Sequence, residues 1–401
     1  MRAFLNADGH TPTLEFSALL ALVAFVGALQ LSIAVAETLG VIALGCWVAW
    51  LSTSRKRPTA PTFFGGLLIY AALTLVSVVF SRDLSASLVD AKELLLFLVV
   101  PVVFQLARGQ RAQTLATVII SVGGATAVFG VVQFGILEYD NLGQRPSGSM
   151  GHYMTYSGLL VLVISLACAR ALFDARERTW SVLVMPALIA ALMVTLTRSN
   201  MIGAGVAVSL LFVMRDFRLL SVVPVVAALF FVFAPPQITA RIYSTFDMQD
   251  PTVRDRFAMA RAGVRIVRDH PITGVGPDMV KEVYPDYREA GAAEDEPAHL
   301  HNVPLQIAAE RGLAAFAAWL AFLALVLREL VRLFRDDRTR TLAAAGIAAM
   351  AGMLTAGMFE YNFGDSEFLM LFLVIITLPL AAAQSIGNTP VNPNASDSGT
   401  T

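Results

Sequence analysis

What most constrains this chain is a recurrence. Beginning near Ser17 it returns, segment after segment, to runs of mostly apolar residues. A run of about 18 or more such residues is long enough to cross roughly 30 Å of hydrocarbon as a helix. Twelve candidate spans can be drawn, near residues 17–35, 38–52, 62–80, 93–107, 114–135, 156–173, 180–197, 200–214, 219–236, 312–327, 341–358 and 368–384. The second and eighth are the shortest stretches for that task. Only 15% of the 401 residues are charged while 56% are hydrophobic, against about 25% charged in an average soluble domain. The expected fold class is therefore all-α: a polytopic transmembrane helical protein of about 12 helices, with one large loop containing short helices.

The expected organisation follows from those runs. Residues 1–236 carry spans one to nine with short loops, 237–311 form one large loop, 312–384 carry the last three spans, and 385–401 form a polar cytoplasmic tail. That tail is rich in Pro, Asn and Ser, a composition expected to stay disordered. "AVAE" at 34–37 resembles a cleavage site, but the apolar run before it exceeds a signal peptide's core, so it reads as the first span. Cys46 and Cys168 lie in separate apolar runs. They read as small buried hydrophobes rather than as a disulfide or a zinc site.

Lysines and arginines in short loops set the orientation. With the N-terminus inside, the inside segments hold 16 basic residues and the short outside loops hold four, Arg82, Lys92, Arg145 and Arg198. The remaining nine lie in the long segment, which must then also be outside. The span interiors hold essentially no ionisable side chains. Ion-coupled transport usually needs such a group near the midplane, so a transporter or flippase is disfavoured. A structural scaffold would not call for the Arg/His set that gathers outside.

Four segments project to the outside: "GQRPSGSMGHYMTYSG" (143–158), "TLTRSN" (195–200), the long loop, and the acidic "FEYNFGDSE" (359–367). In the long loop, Asp250 as N-cap and Pro251 at the first helical position start a helix that Pro271 ends. Helical spacing puts Val253, Phe257, Ala260, Val264 and Val267 on one apolar stripe. Arg254, Arg261, Arg265 and Arg268 fall beside it, and Arg256 lies on the opposite flank. The row of four fits either lipid phosphates at an interface or a substrate; Arg256, off the row, points to function. Arg198 sits in a tight polar connection between spans, and Arg145 in a Gly-rich loop whose backbone can approach a ligand closely.

"HLHNVPLQIAAERG" (299–312) opens the next apolar run. Asn302 suits an N-cap and Pro304 a first turn, so a helix should begin just after His301. Its positive end attracts phosphate and should keep His301 neutral, as a general base must be. A loop histidine that merely hydrogen-bonds is the plainer alternative. A third reading has His299 and His301 chelating a metal with the acids of 294–296, though no known ligand spacing supports it.

Taken together these segments resemble the bacterial O-antigen ligases and the related O-antigen polymerases, membrane glycosyltransferases similar to the GT-C class. His301-Asn302, nine residues, then Gly312-Leu313-Ala314-Ala315 resembles that family's His-Asn motif, with Ala in place of the last small residue. "HPITGVGPD" resembles its Pro-x-x-Gly-x-Gly segment, "TLTRSN" its Thr/Ser-Arg turn, and Arg256 its Arg before Phe or Leu. The resemblance covers roughly residues 145–370. It implies an inner-membrane enzyme with its active site facing the periplasm, inverting and metal-independent, with no cofactor. Membrane lipids would surround it, and nucleic acid has no part. The glycan would move from undecaprenyl diphosphate to the lipid A–core oligosaccharide. His301 would be the base and Arg198 and Arg256 the diphosphate clamp. Arg145 and Arg265 would be secondary candidates, with Asn302, Gln306 and Gly312 in support. The nearest alternative is the O-antigen or exopolysaccharide polymerase, whose acceptor is a second lipid-linked glycan.

Overall fold

The computed structural model describes residues 13–233, 236–243, 251–289 and 297–384. The expected tail, the Asp250 cap and the acids at 294–296 lie outside the described residues. Among those described, the regular elements are helices, with no strand. In chain order they are α1 (Thr13–Ala28), α2 (Ile33–Thr53), α3 (Phe64–Val79), α4 (Leu84–Asp90), α5 (Val99–Leu106), α6 (Gln110–Gly135), α7 (Tyr153–Phe173) and α8 (Arg178–Val194). There follow α9 (Arg198–Arg215), α10 (Val222–Phe233), α11 (Pro236–Tyr243), α12 (Pro251–Asp269), α13 (Val280–Tyr287), α14 (Val303–Phe334), α15 (Arg340–Ala356) and α16 (Ser366–Ala382).

Helices α2, α6, α7 and α14 are each long and apolar enough to cross a bilayer. Helices α1, α3, α8, α15 and α16 are apolar but 16 or 17 residues long, about 25 Å at ~1.5 Å per residue. Two expected spans are not single α-helices. Around 93–107 the chain forms α4, a 3-10 stretch Ala91–Leu98, and then α5. Asp83 caps α4 by accepting from the Ser85 and Ala86 amides, and Pro101 in α5 removes one N–H from the ladder. Around 219–236 a 3-10 turn, Phe217–Ser221, precedes the 12-residue α10.

Helix α16 is the axis of the core, with Phe368 to Ala381 buried throughout. Helices α7 and α15 lie against it. The sequence of α15, rich in Ala and Gly, lets backbones meet closely. A methyl on Gly203 of α9 would stand 2.8 Å from the Gly352 carbonyl, and one on Gly352 would stand 2.8 Å from Val161. Close approach of small residues is how helices gain packing contact where lipid is as apolar as leucine. Helix α2, by contrast, exposes Val35, Val41, Ile42 and Val48.

A second, smaller core sits beside the bundle. Met259, Ala262 and Ile266 of α12 pack with Val275, Met279, Val280, Val283, Tyr284, Leu300 and Ala309. This corrects the stripe expected on α12. Its buried face runs through Ala258, Met259, Ala262 and Ile266, while Phe257 and Val264 are exposed. The helix carries two apolar faces, and spacing alone does not say which one meets protein.

Helix α14 is broken at Gly312, where φ is +79°. The groups freed there pair with the 271–276 segment. Leu313 N donates to the Pro271 carbonyl at 2.8 Å, Val275 N to Ala309 at 3.0 Å and Gly276 N to Glu310 at 2.9 Å. A methyl on Gly312 would come within 2.0 Å of the Ile272 carbonyl oxygen, and one on Gly274 within 2.3 Å of the Glu310 backbone. The two glycine motifs are therefore mates, one backbone docked on the other. They fix the angle at which His301 enters the bundle.

Candidate active site at one end of the bundle

His301 adopts a left-handed φ of +49°, uncommon for a residue with a side chain and frequent at functional sites. Its neighbours hold it there. Leu300 N donates to Gln306 Oε1 at 2.7 Å. Asn302 caps α14 as expected, accepting from Leu305 N at 2.9 Å. Asn302 Nδ2 and Val303 N then donate to the Met358 and Gly357 carbonyls, at 3.0 and 2.7 Å. The histidine loop is thus fastened to the turn that carries Glu360.

Glu360 is the residue that sequence reasoning did not single out. Its buried carboxylate accepts from His301 Nδ1, with 3.2 Å to Oε1 and 3.3 Å to Oε2. His299 Nε2 lies 3.6 Å from Oε1 and Arg256 Nη2 lies 3.8 Å from Oε2. Burial alone would raise this carboxyl. The hydrogen bond from His301 and the charges of His301, His299 and Arg256 outweigh burial and hold it at about 2. Burial, reinforced by the charge of His301, lowers His299 to about 4. Donation from Nδ1 to Glu360 fixes the His301 tautomer with its lone pair on Nε2, the arrangement of an oriented general base.

Beside this pair opens a cavity of about 390 Å³. Three of the expected arginines, Arg145, Arg198 and Arg256, line it together with apolar Leu196, Ile202, Val253, Phe257, Ala260, Met358 and Phe359. No carboxylate stands among its described lining residues. First-turn or capping residues of three helices, Thr252 of α12, Arg198 and Ser199 of α9 and Asn302 of α14, also line it. Three positive helix ends therefore converge on a basic, oily pocket, the setting for an anion that carries an apolar tail. Arg145 stacks 4.1 Å from the Tyr153 ring, and burial together with the Arg198 charge lowers its pKa. Leu196, at φ +55°, makes the turn that presents Arg198.

Arg265 is not brought to this cavity. It donates to the Tyr287 carbonyl and pairs with Glu289 at 3.4 Å, where Arg261 also pairs at 2.8 Å. These two arginines tie α12 to the end of α13. Gln306 and Gly312 serve the site through the backbone, as described above.

His299, His301 and Glu360 also form a set a metal ion would accept, one ligand atom from each lying within 4.8 Å of the others. Ligation through His301 Nδ1 would require that nitrogen to give up its proton and would break its hydrogen bond to Glu360. The two uses of the trio exclude each other.

No curated protein matches the chain. The family model described as O-antigen ligase matches residues 182–320, about a third of the sequence. The match runs from α8 into α14 and includes Arg198, Arg256 and His301, while Arg145 and Glu360 fall outside it. Across residues 182–320 the chain carries the domain of the O-antigen ligase family.

Proposed function

We propose that the protein is an O-antigen ligase of the inner membrane, with about twelve spans and its active site at the periplasmic face. It moves a glycan from undecaprenyl diphosphate to a hydroxyl of the lipid A–core oligosaccharide. The observation that carries this reading is the oriented His301–Glu360 pair beside an apolar cavity rimmed by Arg145, Arg198 and Arg256. The apolar wall suits the polyprenyl chain, and the guanidinium groups suit the diphosphate through charge-assisted hydrogen bonds.

His301 Nε2 takes the proton of the acceptor hydroxyl as that oxygen bonds to the anomeric carbon. The bond from that carbon to the diphosphate oxygen breaks, and its electron pair leaves with the diphosphate. Attack from the face opposite the leaving group inverts the centre. Arginines that meet the charge as it develops lower the barrier without a metal. Glu360 stabilises the imidazolium formed in this step.

The test is transfer by the purified protein in nanodiscs, from lipid-linked donor to lipid A–core acceptor, with a lipid-linked acceptor in a parallel arm. Transfer to lipid A–core that survives EDTA is expected. Transfer only to the lipid-linked glycan makes the protein a polymerase. Loss of turnover with EDTA and rescue by Mn²⁺ or Mg²⁺ turns the His299–His301–Glu360 trio into a metal site.

A further inference from the structure

A second cavity, of about 220 Å³, adjoins the first at Met154 and differs in kind. His299 and Glu360 line it, together with Thr155, Asn200, Asn362 and Asp365. Met154 lines both cavities, so the two adjoin. No lysine or arginine stands among its described lining residues. Its size is below the range of about 300–1,000 Å³ typical of pockets for drug-sized ligands, which suits one ring rather than a chain.

The polar groups here are mostly acceptors. Asn200 is 1% exposed, and its Nδ2 is committed to Ser157 Oγ at 2.6 Å. Asn362 is 6% exposed, and its Nδ2 donates to the Met353 carbonyl at 3.1 Å. The amide oxygens of both are buried without a hydrogen-bond partner. Unsatisfied buried acceptors are rare and costly unless a ligand or water completes them. Asp365 accepts from Thr155 Oγ1 at 2.5 Å and caps α16 with its other oxygen. A pocket rich in acceptors, with no lysine or arginine among its described lining residues, repels phosphate and suits a neutral ligand with several hydroxyl donors. Tyr361 and Phe368 add apolar faces for the ring's C–H groups.

We infer that this cavity is the subsite for the acceptor sugar, the ring whose hydroxyl is deprotonated. The inference rests on the function proposed above. If the diphosphate occupies the arginine cavity, the acceptor must be held in a neighbouring site near the base, and this pocket adjoins that cavity at Met154 and is lined by His299 and Glu360, both in contact with His301. Asn200, Asn362 and Thr155 then hold the acceptor ring through its other hydroxyls. Asp365 positions Thr155.

Steady-state kinetics with full-length protein in nanodiscs, varying donor and lipid A–core separately, test this. Asn200→Ser and Thr155→Val should each raise the acceptor KM by about tenfold, the order expected for one lost hydrogen bond, with donor KM within about twofold. Arg256→Lys should show the reverse split. A rise in donor KM alone would assign the pocket to the donor's sugar, and no change in either constant would remove it from the site; both overturn the inference while leaving the proposed function intact. Failure of that function shows separately, as wild-type transfer retained by His301→Ala. Saturation-transfer NMR of delipidated core oligosaccharide on His301→Ala protein supplies a readout independent of turnover. Signal is expected, and its persistence when Asn200→Ser is added would contradict the assignment.

Discussion

The two adjoining cavities near Glu360 share only Met154 among their described lining residues. One is larger, oily and basic, with three arginines and three helix ends directed at it. The other is smaller and lined by carboxylate, amide, hydroxyl and imidazole groups, with no lysine or arginine among its described lining residues. A single pocket of mixed character would bind both partners of a transfer poorly, because what attracts diphosphate does not select a neutral polyol. Separating the two chemistries leaves His299 and Glu360 in the wall of the smaller cavity, with His301 against them and Arg256 of the larger cavity 3.8 Å from Glu360, at the boundary where a proton must move.

Variants at that boundary should have the largest effect. His301→Ala is expected to lower kcat by about 10²–10⁴-fold, the usual cost of losing a general base, with the protein still eluting as a monodisperse species. His299→Ala should be much milder. Equal damage from the two, together with metal dependence, would replace the boundary with a metal centre. Glu360→Gln should follow at roughly 10–10²-fold, because an amide no longer stabilises the imidazolium. A Glu360→Gln enzyme with an unchanged pH–rate profile would remove the carboxylate from the mechanism.

Changes within the basic cavity should come next. Arg256→Lys keeps charge but loses the planar fork, and a donor KM raised by about tenfold is expected. Arg265→Lys, at a guanidinium committed to Glu289 and the Tyr287 carbonyl, should change donor KM by less than about twofold. Similar losses from both would show that the cavity is not what distinguishes these arginines. Gly312→Ala tests the hinge that holds the wall in place. With φ at +79° and the Ile272 oxygen 2.0 Å from the added carbon, thermal unfolding in detergent should fall by several degrees, about the effect of a 1–3 kcal/mol backbone strain.

The smallest expected effect is on stability against acid. His299 is held at about 4, below its usual 6.5, and Glu360 at about 2, below its usual 4.5. In both cases the unfolded chain binds the proton first as pH falls, so stability present above the unfolded value is lost on acidification. The melting temperature of the wild type relative to His299→Gln should be flat above pH ~7 and decline from about 6.5 to 4, and relative to Glu360→Gln it should decline from about 4.5 towards 2. A difference from His299→Gln that stays constant between pH 6.5 and 4 would contradict the buried setting of His299.

Much of this site was legible because its signals are local. The Asn302 cap, the start of α14 after His301 and the end of α12 before Pro271 are all written within a few residues. Arg145, Arg198 and Arg256 could be chosen from their loops and flank, and the cavity collects all three. Glu360 could not be, because it is 59 residues from His301 and one carboxylate among many. Its only trace was the acidic segment 359–367. Arg265 shares its helical row with three other arginines, and only the fold places Glu289 beside it. The glycine at 312 was visible as a pattern, but its reason, the docking of 271–276 on a broken helix, needs a second segment in space. The stripe on α12 went astray for a like cause: two apolar faces compete, and only tertiary contact decides between them.

In the proposed mechanism the arginine cavity holds the donor diphosphate, and the acceptor sits in the adjoining pocket lined by His299 and Glu360. The most direct measurement is a cryo-EM structure of His301→Ala protein trapped with its lipid-linked donor. Both phosphates are expected within hydrogen-bond distance of the Arg198 and Arg256 guanidinium groups, with the polyprenyl chain along Val253, Phe257 and Ala260 and the anomeric carbon turned towards His301 and Glu360. Diphosphate density in the acceptor-rich pocket lined by Asn200 and Asp365, or at the Arg261–Arg265 surface, would contradict it.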